Sequence, residues 1–258
     1  MHEYDDVQGQ AHTLEQRRED QFGNPDLPDP RNFDVEFSSS GLVLQLTTRT
    51  TSGGFHRSER FVYGDAGELL RSVITNRSGV ESEITDFIRE SDERQIWTTR
   101  DFSGVVVGNG VTQYSNGLAV RSTSFRSGAM SVDKRIEYVK GKLSKRVSEY
   151  YGFNGALSER WIAIFNESER VIENFGLKAD GRPLGDGKYV YEYDSAGRTY
   201  RVLSFNDLAD ENIPNHIRGF AYVCDEKGNW IERREYSLFR DDGRWQQSIT
   251  TRRLSYHE

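Results

Sequence analysis

Hydrophobic and polar residues alternate with a period of two along most of the chain. Tyr189, Tyr191 and Tyr193 fall on one side of an extended segment, and Val190, Glu192 and Asp194 fall on the other. Phe220, Tyr222 and Cys224 repeat the arrangement, and Phe61 and Tyr63 repeat it more briefly. Such runs predict strands with two unlike faces. Between them, small polar clusters recur at Ser40-Gly41, Gly53-Gly54, Asp65-Ala66-Gly67, Ser78-Gly79, Ser91-Asp92, Ser103-Gly104, Asn109-Gly110, Asn116-Gly117, Ser127-Gly128, Lys140-Gly141, Asn154-Gly155, Asn166-Glu167-Ser168, Asp180-Gly181, Asp194 to Gly197, Asp225 to Gly228 and Asp241-Asp242-Gly243. Most are about 10–14 residues apart, the spacing of strands joined by hairpins. Asn-Gly suits a two-residue turn because both positions need positive φ. Asp194-Ser195-Ala196-Gly197 suits a type I turn, with Asp bonding the backbone two residues on and Gly in the left-handed region. Ile231-Glu232-Arg233-Arg234-Glu235-Tyr236 and Thr251-Arg252-Arg253-Leu254-Ser255-Tyr256 are strands with one wet face, which favours antiparallel pairing. The expected fold is all-β, an antiparallel meander of hairpins, either an open curved sheet or a sheet rolled or sandwiched on itself.

Residues 1–32 read differently. Three of the five prolines lie in Gly23-Asn24-Pro25-Asp26-Leu27-Pro28-Asp29-Pro30, which resists helix and sheet alike because proline lacks an N–H and fixes φ. Thr13-Leu14-Glu15-Gln16 predicts a capping box opening a short helix through about Gln21. The segment also holds eight acids against three bases, so it carries −5 of the net charge of −7. It is expected to form a polar arm ahead of a single β-repeat domain spanning 33–258. Covering an exposed edge strand near Phe33 or Tyr256 would give the arm a role.

A longer repeat emerges when the type I turns are aligned. Arg60 to Arg71 (RFVYGDAGELLR), Tyr189 to Arg201 (YVYEYDSAGRTYR) and Phe220 to Glu232 (FAYVCDEKGNWIE) match one another, and weaker copies run through Arg135 to Leu143 and Trp161 to Asn166. The period is roughly 24–31 residues, which is two strands and two turns. These residues resemble the YD repeats of RHS proteins, whose core is Tyr-x-Tyr-Asp-x-x-Gly-Arg/Asn. Tyr191 to Arg198 fits that core fully, and Tyr222 to Asn229 fits it except that Cys224 replaces the second Tyr. The resemblance implies a β-meander of bacterial secreted or cell-surface proteins, whose large members form shells around toxins. The short length and degenerate repeats depart from a closed shell.

Composition narrows the function classes. Hydrophobic residues make up 35% and mean hydropathy is −0.76, so the apolar supply is thin and aromatics, at 12%, must carry much of the packing. No run approaches the ~18 apolar residues of a membrane-spanning helix. With −5 in the arm, the remaining residues carry only −2, so no basic field attracts nucleic acid. The single Cys224 forms no internal disulfide. The opening residues lack the basic and apolar stretches of a secretory leader. Residues alone therefore leave the compartment open, while the family resemblance favours the envelope or exterior.

The chemical inventory is sparse. His2, His12, His56, His216 and His257 are not at zinc-ligand spacing. Asn206-Asp207-Leu208-Ala209-Asp210-Glu211-Asn212 is rich in oxygen ligands but lacks the glycine and terminal glutamate of an EF-hand loop. Cys224 stands at an aromatic repeat position, as a packed thiol would. Gly104 to Gly110 leads into a strand, and neither Gly141-Lys142 nor Gly187-Lys188 completes a phosphate loop. Glu83, Asp86, Glu90, Asp92 and Glu93 are numerous enough to supply a hydrolytic carboxylate pair. Asn76-Arg77-Ser78 and Asn166-Glu167-Ser168 fit the glycosylation triplet by chance-level matching, in predicted turns. Trp97, Trp161, Trp230 and Trp245 are the best binding candidates, since rings on a sheet stack on sugars or anchor proteins. The sequence thus predicts no catalytic residue, cofactor or metal. It favours a non-enzymatic module that binds a protein or glycan surface, with a toxin-associated shell or immunity protein as one alternative and a carboxylate-pair hydrolase as another.

Overall fold

The computed structural model describes residues 11–19, 28–50, 52, 54–205, 214–239, 243 and 245–256. Among the described residues every element is a strand. The first six are β1 (Ala11–Glu19), β2 (Pro28–Phe37), β3 (Val43–Thr50), β4 (Phe55–Tyr63), β5 (Leu69–Thr75) and β6 (Glu81–Ser91). Next come β7 (Arg94–Asp101), β8 (Val106–Ser115), β9 (Leu118–Arg126), β10 (Ala129–Val139), β11 (Lys142–Tyr151) and β12 (Leu157–Phe165). The last six are β13 (Val171–Lys178), β14 (Pro183–Tyr193), β15 (Thr199–Phe205), β16 (His216–Cys224), β17 (Trp230–Phe239) and β18 (Trp245–Tyr256). The expected all-β antiparallel meander is thus observed.

Each strand pairs antiparallel with its predecessor and successor, and β1 pairs with β2 on one side and β18 on the other. The sheet therefore rolls up until its first and last strands meet, with Leu14 opposite Val35 and Leu254. The helix expected from Thr13-Leu14-Glu15-Gln16 is replaced by β1. Its extended conformation is imposed by backbone partners on both sides, which outweigh a local capping signal. The proline-rich segment likewise contributes a strand, for β2 begins at Pro28, and a register shift between Asp29 and Phe33 accommodates Pro30.

Among the described residues, the cluster of buried apolar side chains lies at this seam. Leu14, Phe33, Val35 and Phe37 form it, and Val43, Leu46, Leu254 and Tyr256 pack against it. Elsewhere the wall is thin. Among the described residues the other buried apolar side chains are Val73, Ala163, Val202, Phe205 and Trp230. The accessible surface is 15,333 Å², against about 11,600 Å² for a compact chain of this mass. Both faces of most strands therefore contact water.

Turns divide between two rims. Those following even-numbered strands form the first rim, and those following odd-numbered strands form the second. On the first rim the Asp and Gly of the aligned repeats do what their chemistry allows. The Asp194 amide donates to the Arg198 carbonyl and the Gly197 amide donates back to the Asp194 carbonyl, both at 2.9 Å, with Gly197 at φ 80°. Asp194 Oδ1 accepts from the Arg198 amide at 2.8 Å. Asp225 and Gly228 build the same turn, with Asp225 Oδ1 accepting from the Lys227 and Asn229 amides.

Tyrosines tie successive hairpins together at that rim. The hydroxyls of Tyr63, Tyr138, Tyr193 and Tyr222 donate to the carbonyls of Val43, Ala119, Val171 and Thr199 respectively, at 2.6–3.0 Å. Each carbonyl belongs to the start of the preceding strand. The base leaving one turn then lies over the tyrosine of the next hairpin: Arg170 over Tyr193, Arg198 over Tyr222 and Lys227 over Tyr256. Cys224 stands opposite Trp230 just as Tyr193 stands opposite Thr199, and there Tyr222, two residues earlier, makes the carbonyl bond instead.

Candidate binding surface

Residues directly opposite one another in adjacent strands share a face, so register assigns the two sides of the wall. One face carries rings and small residues together. Trp97 stands opposite Gly110, and Trp161 stands opposite Ser148 and Gly176. Tyr150, Tyr189, Tyr191, Phe220 and Tyr222 fall on this same face. Both tryptophans lie down on glycine. A Cβ built on Gly110 would approach the Trp97 indole to 2.5 Å, and one built on Gly108, two residues earlier, would meet the edge of the same ring at 3.7 Å. A Cβ on Gly176 would meet the Trp161 indole at 3.1 Å. One side of each ring is thus packed on backbone while the residue remains half-buried. Hydroxyls border Trp97: Thr85 and Thr99 are 2.7 Å apart, and Thr112 and Ser122 are 3.3 Å apart. The Trp161 indole N–H donates to Glu159 at 3.2 Å.

Trp230 has a different place. It is 4% exposed, with the Arg252 guanidinium 3.4 Å from its ring centroid and Tyr222 tilted against it. It packs the wall and is not a docking residue. The side chain of Trp245 lies outside the described residues.

The other face carries a charge ladder. Arg121, Asp133, Arg135, Glu149 and Arg160 alternate in sign across β9 to β12. Asp133 accepts from Arg121 at 2.9 and 3.1 Å and from Arg135 at 3.3 Å. Glu149 accepts from Arg135 at 2.7 Å, from Arg160 at 2.6 and 2.8 Å, and from the Tyr151 hydroxyl at 3.1 Å. Burial by itself raises both carboxyls, but the Arg121 bond and charge, with Arg135, hold Asp133 below its ordinary value. At Glu149 burial is likewise outweighed, by Arg160, Tyr151 and Arg135, and its carboxyl is also lowered. Burial, and after it the Glu149 carboxylate, push the Tyr151 hydroxyl up. Two acids kept ionised by fixed guanidiniums are poor proton donors near neutral pH, so this ladder is structural chemistry.

Of the acids singled out as a possible hydrolytic pair, Glu90, Asp92 and Glu93 gather at the β6–β7 turn, whereas Glu83 and Asp86 are kept apart. Glu83 and Asp86, three residues apart on β6, face opposite sides of the wall. Asp86 is held by Arg71 at 2.6 Å and Arg100 at 2.9 Å, and Glu90 pairs with Arg94. Asp92 presents its carbonyl, not its carboxylate, to Arg89. Among the described residues no three His, Cys, Asp or Glu side chains gather as metal ligands. The acidic segment 206–212 lies outside the described residues, as do His2, His257 and the side chain of His12. His216 stacks on Phe239 with centroids 4.1 Å apart. Cys224 Sγ accepts from Arg198 within the first rim. Asn76 and Asn166 cap their own turns, each Oδ1 accepting two backbone amides.

The glycine beds are not legible as such in the sequence, where Asn109-Gly110 reads as a turn and Gly104 to Gly110 as a failed phosphate loop; Asn109 and Gly110 instead lie within β8, paired on both sides. The available signal was the spacing of Gly108 and Gly110, which puts two missing side chains on one face of a strand.

No family model matches this chain, and no curated protein matches it. Among solved structures it is similar to a porin-like protein from Bacteroides uniformis ATCC 8492, at 11% identity and a TM-score of 0.48, covering 95% of this chain and 96% of that one. A porin-like protein from Bacteroides vulgatus ATCC 8482 aligns at 13% identity and a TM-score of 0.40, over 80% of this chain and 95% of that one. A protein of unknown function from Bacteroides fragilis NCTC 9343 aligns at 14% identity and a TM-score of 0.24, over 47% of this chain and 91% of its own.

Proposed function

We propose that this chain is a non-enzymatic β-repeat module, similar to YD-repeat proteins of the bacterial envelope or exterior, which binds a protein or glycan surface through its aromatic face. The observation that carries the reading is the pair of half-buried indoles, Trp97 and Trp161, each bedded on glycine of the neighbouring strand. A glycine bed lets a large ring lie flat with one side fixed, so little ordering entropy remains to be lost when a partner covers the other. Flat rings bordered by hydroxyls suit the apolar faces of sugar rings, and half-buried Trp anchors equally suit a protein contact.

The test is retention of the full chain on immobilised envelope polysaccharides and on purified surface proteins, read beside W97A and W161A. At least one surface should retain the wild type, and each substitution should weaken retention about tenfold while far-ultraviolet dichroism stays unchanged. Equal retention of wild type and both variants would remove the reading, as would no retention on any surface.

A further inference from the structure

The second rim carries the most exposed apolar side chains of the described chain. Phe153 is 86% exposed and Phe102 is 82% exposed, and Val80, Val105 and Val106 accompany them at 48–59%. All five lie at or beside the turns β5–β6, β7–β8 and β11–β12. The rings stand at tips that are internally fixed. Asp101 Oδ1 accepts from the Ser103 and Val105 amides, so Phe102 is held out by its own turn. Gly152 and Ala156 close the turn around Phe153, with Asn154 Oδ1 accepting from the Ala156 amide.

Between these tips stand bases. Arg77 in the β5–β6 turn and Arg126 at the end of β9 are both exposed, and no ion pair engages either among the described residues. Four consecutive turns therefore present Arg77, Phe102, Arg126 and Phe153 in alternation. Adjacent strands lie ~4.8 Å apart, so successive tips are about 10 Å apart along the rim. Asp101 stays ionised within its own turn, its carboxyl held below its ordinary value by the Ser103 and Val105 bonds, so the four turns set two guanidiniums against one carboxylate.

We propose that this rim docks on an anionic lipid bilayer surface, with Phe102 and Phe153 in the interfacial layer and Arg77 and Arg126 against lipid phosphates. A lipid surface is favoured over a protein groove because the tips are spread in a row and not gathered into one patch. Aromatic rings alternating with bases also match a layer whose outer part is anionic and whose inner part is apolar. The walls themselves do not enter. The aromatic face carries Glu59, Lys134, Glu159 and Arg218, and the ladder face carries Asp86, Arg100, Asp133 and Arg160, so neither offers an apolar band.

Sedimentation of the full chain with vesicles tests this, using phosphatidylcholine alone and phosphatidylcholine with about one third phosphatidylserine. The chain should pellet with the anionic vesicles and far less with the neutral ones. F102S/F153S should lower the bound fraction about tenfold, R77E/R126E should lower it several-fold, and V139S on the first rim should leave it unchanged. Failure to pellet with anionic vesicles overturns the proposal, and so does binding that survives F102S/F153S. A wild-type dimer that F102S/F153S converts to monomer, without lipid binding, would assign the tips to self-association and overturn it equally.

Discussion

At the scale of single residues, the first rim explains why Tyr, Asp, Gly and Arg recur together. Gly197 is constrained twice: its φ is 80°, and the Arg170 guanidinium that covers Tyr193 occupies the space a Cβ would need. Gly197→Ala should therefore cost more than the ~1–2 kcal/mol of a left-handed L-residue alone, read as a lowered midpoint in chemical denaturation. Gly79, also at positive φ but with open space around its Cβ position, is the control and should show only the backbone cost. Tyr193→Phe removes one hydroxyl and leaves the Val171 carbonyl unbonded, which should cost about 1 kcal/mol with the ring and its cation partner kept. These turns were legible in the sequence because an Asp that caps and a Gly that reverses are local chemistry. Trp97 was legible as an aromatic on a strand but not as a bedded platform, because Gly108 and Gly110 meet it only through strand pairing.

At the scale of strands, alternation gave the faces correctly, while the partners of each charge depended on register. On β10 and β11 buried charge is held by ordered pairing: Asp133 and Glu149 are 2% and 5% exposed, and each accepts from guanidiniums. Since both carboxyls are lowered in the folded wall, the unfolded chain binds their protons more readily. The stability they confer is complete above the ordinary carboxylate range and is lost as pH falls through their lower folded values. Thermal midpoints should be level from about pH 7 to 5 and decline below about pH 4. Asp133→Asn should lower the midpoint at pH 7, by an amount equivalent to about 2 kcal/mol, because Arg121 and Arg135 lose their shared partner. The same variant should show a shallower acid decline. A decline as steep as wild type would mean that other carboxyls govern acid unfolding. The misread helix at Thr13-Leu14-Glu15-Gln16 belongs to this scale too. Its strand partners are Arg252 to Ser255 and Phe33 to Glu36, and the first set is so distant in sequence that no local window contains the signal.

For the whole molecule, one strand decides whether the sheet has edges. β2 and β18 are each antiparallel to β1, so they run parallel to one another. If β1 were withdrawn, they could not join by the antiparallel ladder used everywhere else, and both would be left as open edges. The seam is also where Leu14, Phe33, Val35 and Phe37 are buried, so the best-packed part of a thin wall depends on a strand whose sequence has a single large aliphatic residue. Deleting residues 1–19 should therefore do more than remove nine strand residues. It should expose two unpaired edges and convert the chain to dimers or larger species, visible as a concentration-dependent mass in light scattering. Leu14→Asp, which keeps the backbone ladder but places a charge in the apolar seam, should lower the unfolding midpoint with less association. If the deleted chain stays monomeric and keeps its unfolding midpoint, the two terminal strands must reseal without β1, and the wall would owe its integrity to the hairpin repeats alone.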